Sequence, residues 1–249
     1  MAKIKDIISF LENRIPKSLS MPGDNDGFAL VPDSEKELTD IALALDVSLD
    51  SIEFARSVGA QLLLTHHPTV FSPLYSLRDS DGVGKRLLAA AKADIALAGY
   101  HTRLDAIDGG VNDTLCALVG IKNVEKFEDG LGRVGYLEKP QSFEEFCAHV
   151  GKVLGTKKVT GINTGKTVHR VAVVGGSGKG SFYDAYRTGA DTFLTGEVAH
   201  NTLIDGRDLG TNLVLATHYR TEVVVLPPLG EMVKEAFPEV KLHFFGDNL

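Results

Sequence analysis

The chain has 249 residues, 43% of them hydrophobic and 24% charged, and it carries a formal net charge of −7. This acidic charge without a run of lysine and arginine argues against nucleic-acid binding, and no segment reaches the ~18 apolar residues of a membrane span, so we expect a cytoplasmic protein without membrane contact. The two cysteines, Cys116 and Cys147, lack CxxC spacing, so we expect reduced core residues rather than a disulfide or a thiolate zinc site.

The first half of the chain alternates between strand-like and helix-like segments. Ser48 is a good N-cap for the first predicted helix, and Gly59 is a typical stop after it. The predicted elements are a strand over 38–46, a helix over 49–58, a strand over 61–65, a loop over 68–79, a helix over 83–93 and a strand over 95–98. This order predicts β-α-β units with parallel strands.

A charged stretch at 122–139 predicts loops and a hairpin edge between two domains. We therefore divide the chain into lobes at 1–125 and 126–249, with an exchange of segments between them left open. The remaining predicted elements are helices over 114–119, 142–154, 200–208 and 229–236 and strands over 171–174, 192–194, 212–216 and 240–245. The alternation favours the α/β fold class, as two layered lobes with mainly parallel central sheets.

Two adjacent histidines, His66 and His67, follow the apolar strand at 61–65, and Pro68 comes next without a backbone N–H to continue the strand. Three more groups of ligand-capable side chains follow predicted strand ends: His101 with Asp105, Glu197 with His200, and His218 with Glu222. Because open α/β sheets place their sites beyond the carboxyl ends of strands, such side chains can converge.

The spacing of His218 and Glu222 supports a metal site. If the turn is helical, residues four apart share one face with roughly 5–6 Å between their β-carbons, which suits one metal ion or a carboxylate that bridges two. His101 and Asp105 have the same spacing, although two glycines follow soon after at 109–110. Imidazole and carboxylate ligands without thiolate suit Zn, Fe, Mn, Co or Ni.

Each of these residues alone is more typical of a solvated loop or a surface helix contact, and only their joint occurrence at strand ends favours a metal centre. Three other histidines lack this pattern and are interpreted as structural: His149, His169 and His243.

A glycine-rich loop runs from Gly175 to Ser181 after a predicted strand and before a helix. Its backbone N–H groups suit an anion site, but the order of residues is not that of a Walker A loop. The alternative is a tight turn whose glycines allow close packing of strand and helix.

Together these motifs resemble the GTP cyclohydrolase 1 type 2 homologue family, the widespread NGG-one-interacting-factor-like proteins, over essentially the whole chain. The segments that carry the resemblance are Asp24-Asn25-Asp26-Gly27, Leu45-Asp46, Gly59-Ala60, Thr65-His66-His67-Pro68, His101-Thr102, Leu104-Asp105, Gly109-Gly110-Val111-Asn112, Arg133-Val134-Gly135, Gly175-Gly176-Ser177-Gly178, Leu194-Thr195-Gly196-Glu197 and His218-Tyr219-Arg220-Thr221-Glu222. The early family motif usually has a tryptophan before Asp-Asn and a valine after it, where this chain has Gly23 and Asp26.

The resemblance implies a centre of two divalent metal ions, with Glu222 as the bridging ligand. The implied ligands are His66, His67, Asp105, His218 and Glu222. The resemblance also implies that the two α/β lobes face a metal-containing cleft and that the chain assembles as a ring-shaped homohexamer.

The first functional hypothesis is a metal-dependent hydrolase, cyclohydrolase-like by resemblance, that acts on a nucleotide or a related small molecule. In this hypothesis His101 is the candidate general acid or base, and Glu197 is the second candidate. The alternative is a non-enzymatic metal-binding interaction or metal-handling protein, because the same ligands would serve it.

Overall fold

The computed structural model describes residues 2–246, and the chain forms two compact units. The first unit extends to Leu104 and resumes at Leu226, whereas the second comprises Asp105–Val225. This division differs from the predicted boundary at 125, which lies inside a strand, Ile121–Phe127. The physical reason is that the last strand, Lys241–Phe244, pairs in parallel with Asp40–Ala44 and so returns the end of the chain to the first unit.

The first unit contains a five-stranded sheet in the order β1-β4-β3-β2-β11. Its strands are β1 (Gly27–Leu30), β2 (Asp40–Ala44), β3 (Leu62–Thr65), β4 (Ala96–Gly99) and β11 (Lys241–Phe244). Every pairing is parallel except that of β1 with β4. The apolar strands β3 and β4 are buried along their whole length, as expected for the centre of a parallel sheet covered on both faces.

In the described part of the chain, the first unit has four complete α-helices, the last of which begins at Leu226, where the chain re-enters this unit. They are α1 (Ile4–Arg14), α2 (Leu49–Ser57), α3 (Gly82–Lys92) and α10 (Leu226–Ala236). Ser48 caps α2 as predicted, because its hydroxyl accepts a hydrogen bond from the Ser51 N–H at 3.0 Å. Helix α1 and strand β1 were not predicted, although α1 buries Ile4, Ile7 and Leu11 at helical spacing.

The second unit contains a six-stranded sheet in the order β5-β6-β8-β9-β10-β7. Its strands are β5 (Ile121–Phe127), β6 (Gly132–Gln141), β7 (Thr160–Ile162), β8 (Val168–Ser177), β9 (Thr192–Glu197) and β10 (Asn212–Leu215). The central strands β8, β9 and β10 are parallel, and the outer pairings are antiparallel. The α/β class is therefore confirmed, but only the middle of this sheet is parallel because the charged stretch folds back as the β5–β6 hairpin.

One further helix, α4 (Thr102–Ala106), begins in the first unit and ends in the second, and the remaining helices belong to the second unit. These remaining helices are α5 (Val111–Val119), α6 (Phe143–Val153), α7 (Phe182–Arg187), α8 (His200–Asp208) and α9 (His218–Glu222). Ser142 and Glu145 form the predicted capping box of α6. Cys116 is buried and Cys147 partly buried, and both are free thiols as predicted. Within residues 2–246, no helix is both long and apolar enough to cross a membrane.

Candidate metal centre

His66 and His67 directly follow the end of strand β3. His66 is fully buried, and His67 is partly buried. The Thr65 hydroxyl donates to the His67 carbonyl at 2.7 Å, and the His67 N–H donates to the Leu45 carbonyl at 2.9 Å. A β-carbon at Gly99, the last residue of β4, would lie 2.6 Å from the His67 carbonyl oxygen. The turn that presents the two histidines therefore requires a glycine at the end of the neighbouring strand.

His101 lies beyond the end of β4 and joins the two histidines that follow β3. The ligand-capable atoms of His66, His67 and His101 all lie within 4.8 Å of one another. The first unit thus presents three imidazoles at one place, an arrangement that can hold a metal ion. Sequence analysis kept His101 outside the ligand set, and the structure adds it as a third nitrogen donor beside the predicted pair.

A hydrogen-bond acceptor from the first unit engages Nδ1 of each of these imidazoles. The contacts are His66 Nδ1 to the Tyr100 carbonyl oxygen (3.0 Å), His67 Nδ1 to Asp46 Oδ1 (2.7 Å) and His101 Nδ1 to Asp24 Oδ2 (2.9 Å). A carbonyl oxygen can only accept, so Nδ1 of His66 carries the proton and Nε2 the lone pair. Partners of this kind fix the tautomer and the ring orientation of metal-binding histidines.

Asp24 is held by further hydrogen bonds. Its carboxylate also accepts from the Thr102 N–H and the Thr102 hydroxyl, at 3.2 and 2.7 Å. Burial raises the pKa of Asp24, but the hydrogen bonds from His101 and Thr102 outweigh it and hold this pKa well below its usual range. The carboxylate is therefore ionised at neutral pH and suited to orient His101.

In the second unit, His218 and Glu222 occupy one helical turn, as their spacing predicted. Both belong to α9, and His218 Nε2 lies 3.0 Å from Glu222 Oε2. Thr217 has φ +69° and its hydroxyl accepts from the Arg220 N–H, so it caps this short helix. Glu222 is buried. One imidazole nitrogen and one carboxylate oxygen are thus close enough to bind the same ion.

The glycine-rich segment makes room for this pair, and its first three residues form the end of strand β8 rather than the predicted loop. Gly176 has φ +63°, and a β-carbon there would lie 1.8 Å from Glu222 Oε1 and 3.1 Å from His218 Nε2. The N–H of Gly175 donates to the Asn112 side chain and that of Gly176 to the Thr221 hydroxyl. Because these donors serve the chain itself, the structure favours the close-packing explanation of the loop over an anion site.

Glu197 and Asp105 complete the set of predicted site residues. Glu197 Oε1 lies 3.0 Å from His218 Nδ1, and the Glu197 side chain is 61% exposed. This is the position of an orienting partner for His218, the counterpart of Asp46 and Asp24 in the first unit. Asp105 is buried within α4 and is the first residue of the second unit. Its ligand role and the catalytic roles of His101 and Glu197 stay predictions.

Sequence analysis assigned no role to Asp24 or Asp46, although both lie in segments that carry the family resemblance. Asp46 is the last residue of the strand predicted over 38–46, and this position could have indicated it. Asp24 lies in a loop far from His101 in the chain, so no spacing rule could have connected the two residues.

The two histidines interpreted as structural in strands have partners of their own. His243 Nε2 lies 2.7 Å from Asp40 Oδ1, and the His169 ring lies 5.4 Å from the Tyr136 ring. These contacts agree with that interpretation.

Comparison with known proteins gives one consistent result. The model of the Duf34/NIF3 (NGG1p interacting factor 3) family matches residues 2–248. A protein of Clostridium perfringens called GTP cyclohydrolase 1 type 2 homolog is 34% identical, over 94% of this chain and 92% of its own. A protein of the same name from Methanocaldococcus jannaschii is 35% identical, over 93% of this chain and 94% of its own.

Solved structures show the same likeness along the whole chain. Reduced HcgD from Methanocaldococcus jannaschii is 32% identical with a TM-score of 0.86, covering 99% of this chain and 98% of its own. The Staphylococcus aureus protein SA1388, described as hypothetical, is 25% identical with a TM-score of 0.89, covering 98% of this chain and 96% of its own.

Proposed function

The chain belongs to the Duf34/NIF3 family, and we propose that it binds two divalent metal ions and uses them to hydrolyse a nucleotide or a related small molecule. One observation carries this proposal. Each of four imidazoles at strand ends has its Nδ1 atom against an acceptor of its own unit. Such contacts direct Nε2 toward a ligand and are typical of metal-binding histidines.

We propose that ligands from both units complete the centre, as the family resemblance implies. The proposed set is His66, His67, Asp105, His218 and bridging Glu222. The donors are nitrogen and carboxylate oxygen without a thiolate, which fits Zn, Fe, Mn, Co or Ni.

In the proposed mechanism the chain orients its ligands and moves a proton. Two bound divalent ions would supply a nucleophilic hydroxide at neutral pH and polarise the atom that it attacks. Asp24 holds the Nδ1 side of His101, so His101 would take or give a proton at Nε2. Glu197, whose Oε1 contacts His218, is the second candidate for this role.

The names of the relatives suggest the substrate class. The proteins from Clostridium perfringens and Methanocaldococcus jannaschii are both called homologs of a GTP cyclohydrolase. We therefore propose a purine nucleotide as the first substrate to test, with attack of water on the ring as the reaction.

The test is elemental analysis of the purified chain together with a nucleotide turnover panel. His67→Ala should reduce the bound metal and abolish turnover, because it removes one proposed ligand. The matched control is His149→Ala, which removes a partly buried histidine of α6 outside the proposed site. Unchanged metal content in His67→Ala would contradict the ligand assignment.

A second variant tests the proposed bridging ligand, and metal-loaded wild type separates hydrolysis from metal binding alone. Glu222→Gln keeps the shape of the side chain but removes the charge that a bridging ligand needs, so metal content and turnover should both fall. If metal-loaded wild type binds two ions yet converts no nucleotide, the non-enzymatic alternative replaces the hydrolase.

We also propose that the chain is a cytoplasmic homo-oligomer, a hexamer by family resemblance. Light scattering coupled to size-exclusion chromatography measures the number of chains directly, and a monomer would contradict this part of the proposal.

A further inference from the structure

A cavity of about 320 Å³ lies in the first unit beside His67. This volume is within the range of small-molecule sites. Asp46 and His67 line one part of it, and the loop that follows Pro68 lines much of the rest. The proposed metal ligand His67 is thus also part of the wall of a cavity that no step of the proposed mechanism has used.

The cavity has a cationic side chain with no protein partner. Arg86 of α3 lines it, and its Nε atom is buried. Among residues 2–246, no hydrogen bond or ion pair engages Arg86. Arg86 is partly buried as a residue, but its Nε–H donor is buried without a partner, which is costly unless a ligand accepts from it.

The neighbouring charges leave Arg86 available to an anion. Asp46 is the acidic residue of the lining, and its Oδ1 atom lies 2.7 Å from His67 Nδ1. Arginine binds phosphate and carboxylate oxygens with a planar fork of donors, often two at once. A ligand oxyanion is therefore the partner that fits this side chain.

Most of the remaining wall is apolar, apart from Thr69 and Ser72, and it includes an exposed aromatic side chain. Val47, Val83 and Leu74 line the cavity together with Phe71, whose ring is 54% exposed. The Phe71 ring also lies edge-on to His101, with ring centroids 5.6 Å apart. A flat ring that enters the cavity would gain apolar burial and an aromatic contact here.

We infer that this cavity is the substrate-recognition subsite of the proposed centre, and that it takes a small organic anion with an aromatic ring. The oxyanion pairs with Arg86, and the ring packs against Phe71 and Pro68. The inference rests on the proposed function in one respect, namely that His67 holds a metal ion next to the bound molecule.

Titration calorimetry on the purified full chain tests this inference with phenyl phosphate, phenol and inorganic phosphate as probes. Wild type should bind phenyl phosphate more tightly than either of the other two, because only phenyl phosphate offers both the ring and the charge. Arg86→Gln should weaken phenyl phosphate binding about tenfold to hundredfold, as expected for loss of a charged hydrogen-bonding partner. Arg86→Lys should bind phenyl phosphate with an affinity between those of wild type and Arg86→Gln, since it keeps the charge but loses the planar fork of donors.

The matched control is Lys85→Gln, which removes a charge of the same sign from the residue of α3 that directly precedes Arg86. Lys85 is exposed and does not line the cavity, so its variant should bind phenyl phosphate as wild type does. Equal weakening in Lys85→Gln and Arg86→Gln, or no binding to wild type, would overturn the inference.

Metal content measured on the same samples separates this inference from the proposed function. Arg86→Gln should retain its metal and lose affinity for phenyl phosphate, whereas His67→Ala should lose metal. If Arg86→Gln binds the probe normally while His67→Ala loses metal, the subsite is wrong and the metal centre survives. If His67→Ala keeps its metal while Arg86→Gln loses the probe, the subsite survives and the ligand assignment is wrong.

Discussion

The two units present their candidate metal ligands in different ways. In the first unit, three imidazoles come from two strand ends, and one of them depends on Asp24, far away in the chain. In the second unit, His218 and Glu222 belong to one helical turn, and Gly176 near the end of β8 provides the space for them. The first cluster therefore depends on long-range contacts, whereas the second depends on local geometry and one close backbone approach.

This difference indicates where each unit is sensitive to mutation. Metal binding by a cluster that depends on long-range contacts is weakened by substitutions in the segments that support the ligands, even when no ligand is changed. A local pair keeps its geometry until the backbone that faces it changes. The following substitutions test the contrast, beginning with the largest expected effect.

Arg103→Met in the first unit should destabilise more than Arg133→Met in the second. Both arginine side chains are 1% exposed, but Asp26, which pairs with Arg103, is 0% exposed, whereas Asp113, which pairs with Arg133, is 27% exposed. Removing Arg103 leaves a carboxylate that water cannot reach, so we expect a loss of about 3 kcal/mol in the free energy of unfolding.

Lys17, which also contacts Asp26, keeps this loss at the low end of the range for buried pairs. Urea denaturation measures both variants. Equal losses would show that exposure of the remaining carboxylate does not decide the cost.

Gly176→Ala should affect the second unit through metal binding more than through stability. The positive φ costs roughly 1–2 kcal/mol for alanine. The added β-carbon also displaces Glu222 Oε1, because it would lie 1.8 Å away. The displaced atom is the end of a flexible side chain, so the fold should survive while metal affinity falls.

Gly165→Ala is the matched control for this substitution. Gly165 has φ +83° and open space around its β-carbon position, so the variant should show a similar stability loss with unchanged metal content. Parallel thermal denaturation and elemental analysis measure both quantities. Loss of metal in both variants would show that backbone strain, rather than contact with Glu222, is responsible.

Asp46→Asn and Glu197→Gln test whether orienting partners matter equally in the two units. Each carboxylate faces a histidine Nδ1 and is more than half exposed, at 59% and 61%. We expect each variant to lower metal affinity by about tenfold, the low end for such partners, because water can partly replace an exposed carboxylate. Competition with a chelator measures the change.

Glu53→Gln is the control for this pair, since its exposed carboxylate pairs with Arg56 on the surface of α2. A tenfold loss in Asp46→Asn with none in Glu197→Gln would show that the two units do not use orienting partners in the same way.

Asp40 in the first unit and Glu128 in the second should contribute to stability with opposite pH dependences. This is the smallest of the expected effects. Burial raises the pKa of Asp40, but hydrogen bonds from His243 and Thr39 outweigh it and lower the pKa below 3.8. Burial instead raises the pKa of Glu128 in the second unit above 4.5. The stabilisation from Asp40 is thus present above its unfolded pKa and lost as the pH falls through the folded value.

For Glu128 the sign is reversed, because its stabilisation is present below the unfolded pKa and lost as the pH rises through the folded value. Asp40→Asn should therefore lose stability at neutral pH and flatten the acid limb of the stability curve. Glu128→Gln should gain stability at neutral pH and change little in acid. Denaturant midpoints across the acid range give both results, and the same sign in both variants would contradict the contrast.

Local patterns in the sequence determined most of the elements that carry the site. The buried run at 61–65, the N-cap Ser48 and the capping box at Ser142 predicted elements whose bounds the structure shifts by only a few residues. The four-residue spacing of His218 and Glu222 predicted their shared face, because a helical turn is set by local geometry.

Only the tertiary structure decided which distant residues meet. Asp24 reaches His101, Gly176 faces Glu222, and β11 returns to pair with β2. Periodicity reports which side of an element is buried, but it does not report which other element covers that side. The sequence by itself thus determined the class of the fold and the kinds of ligand that end its strands, whereas packing between distant segments decided how those ligands are oriented.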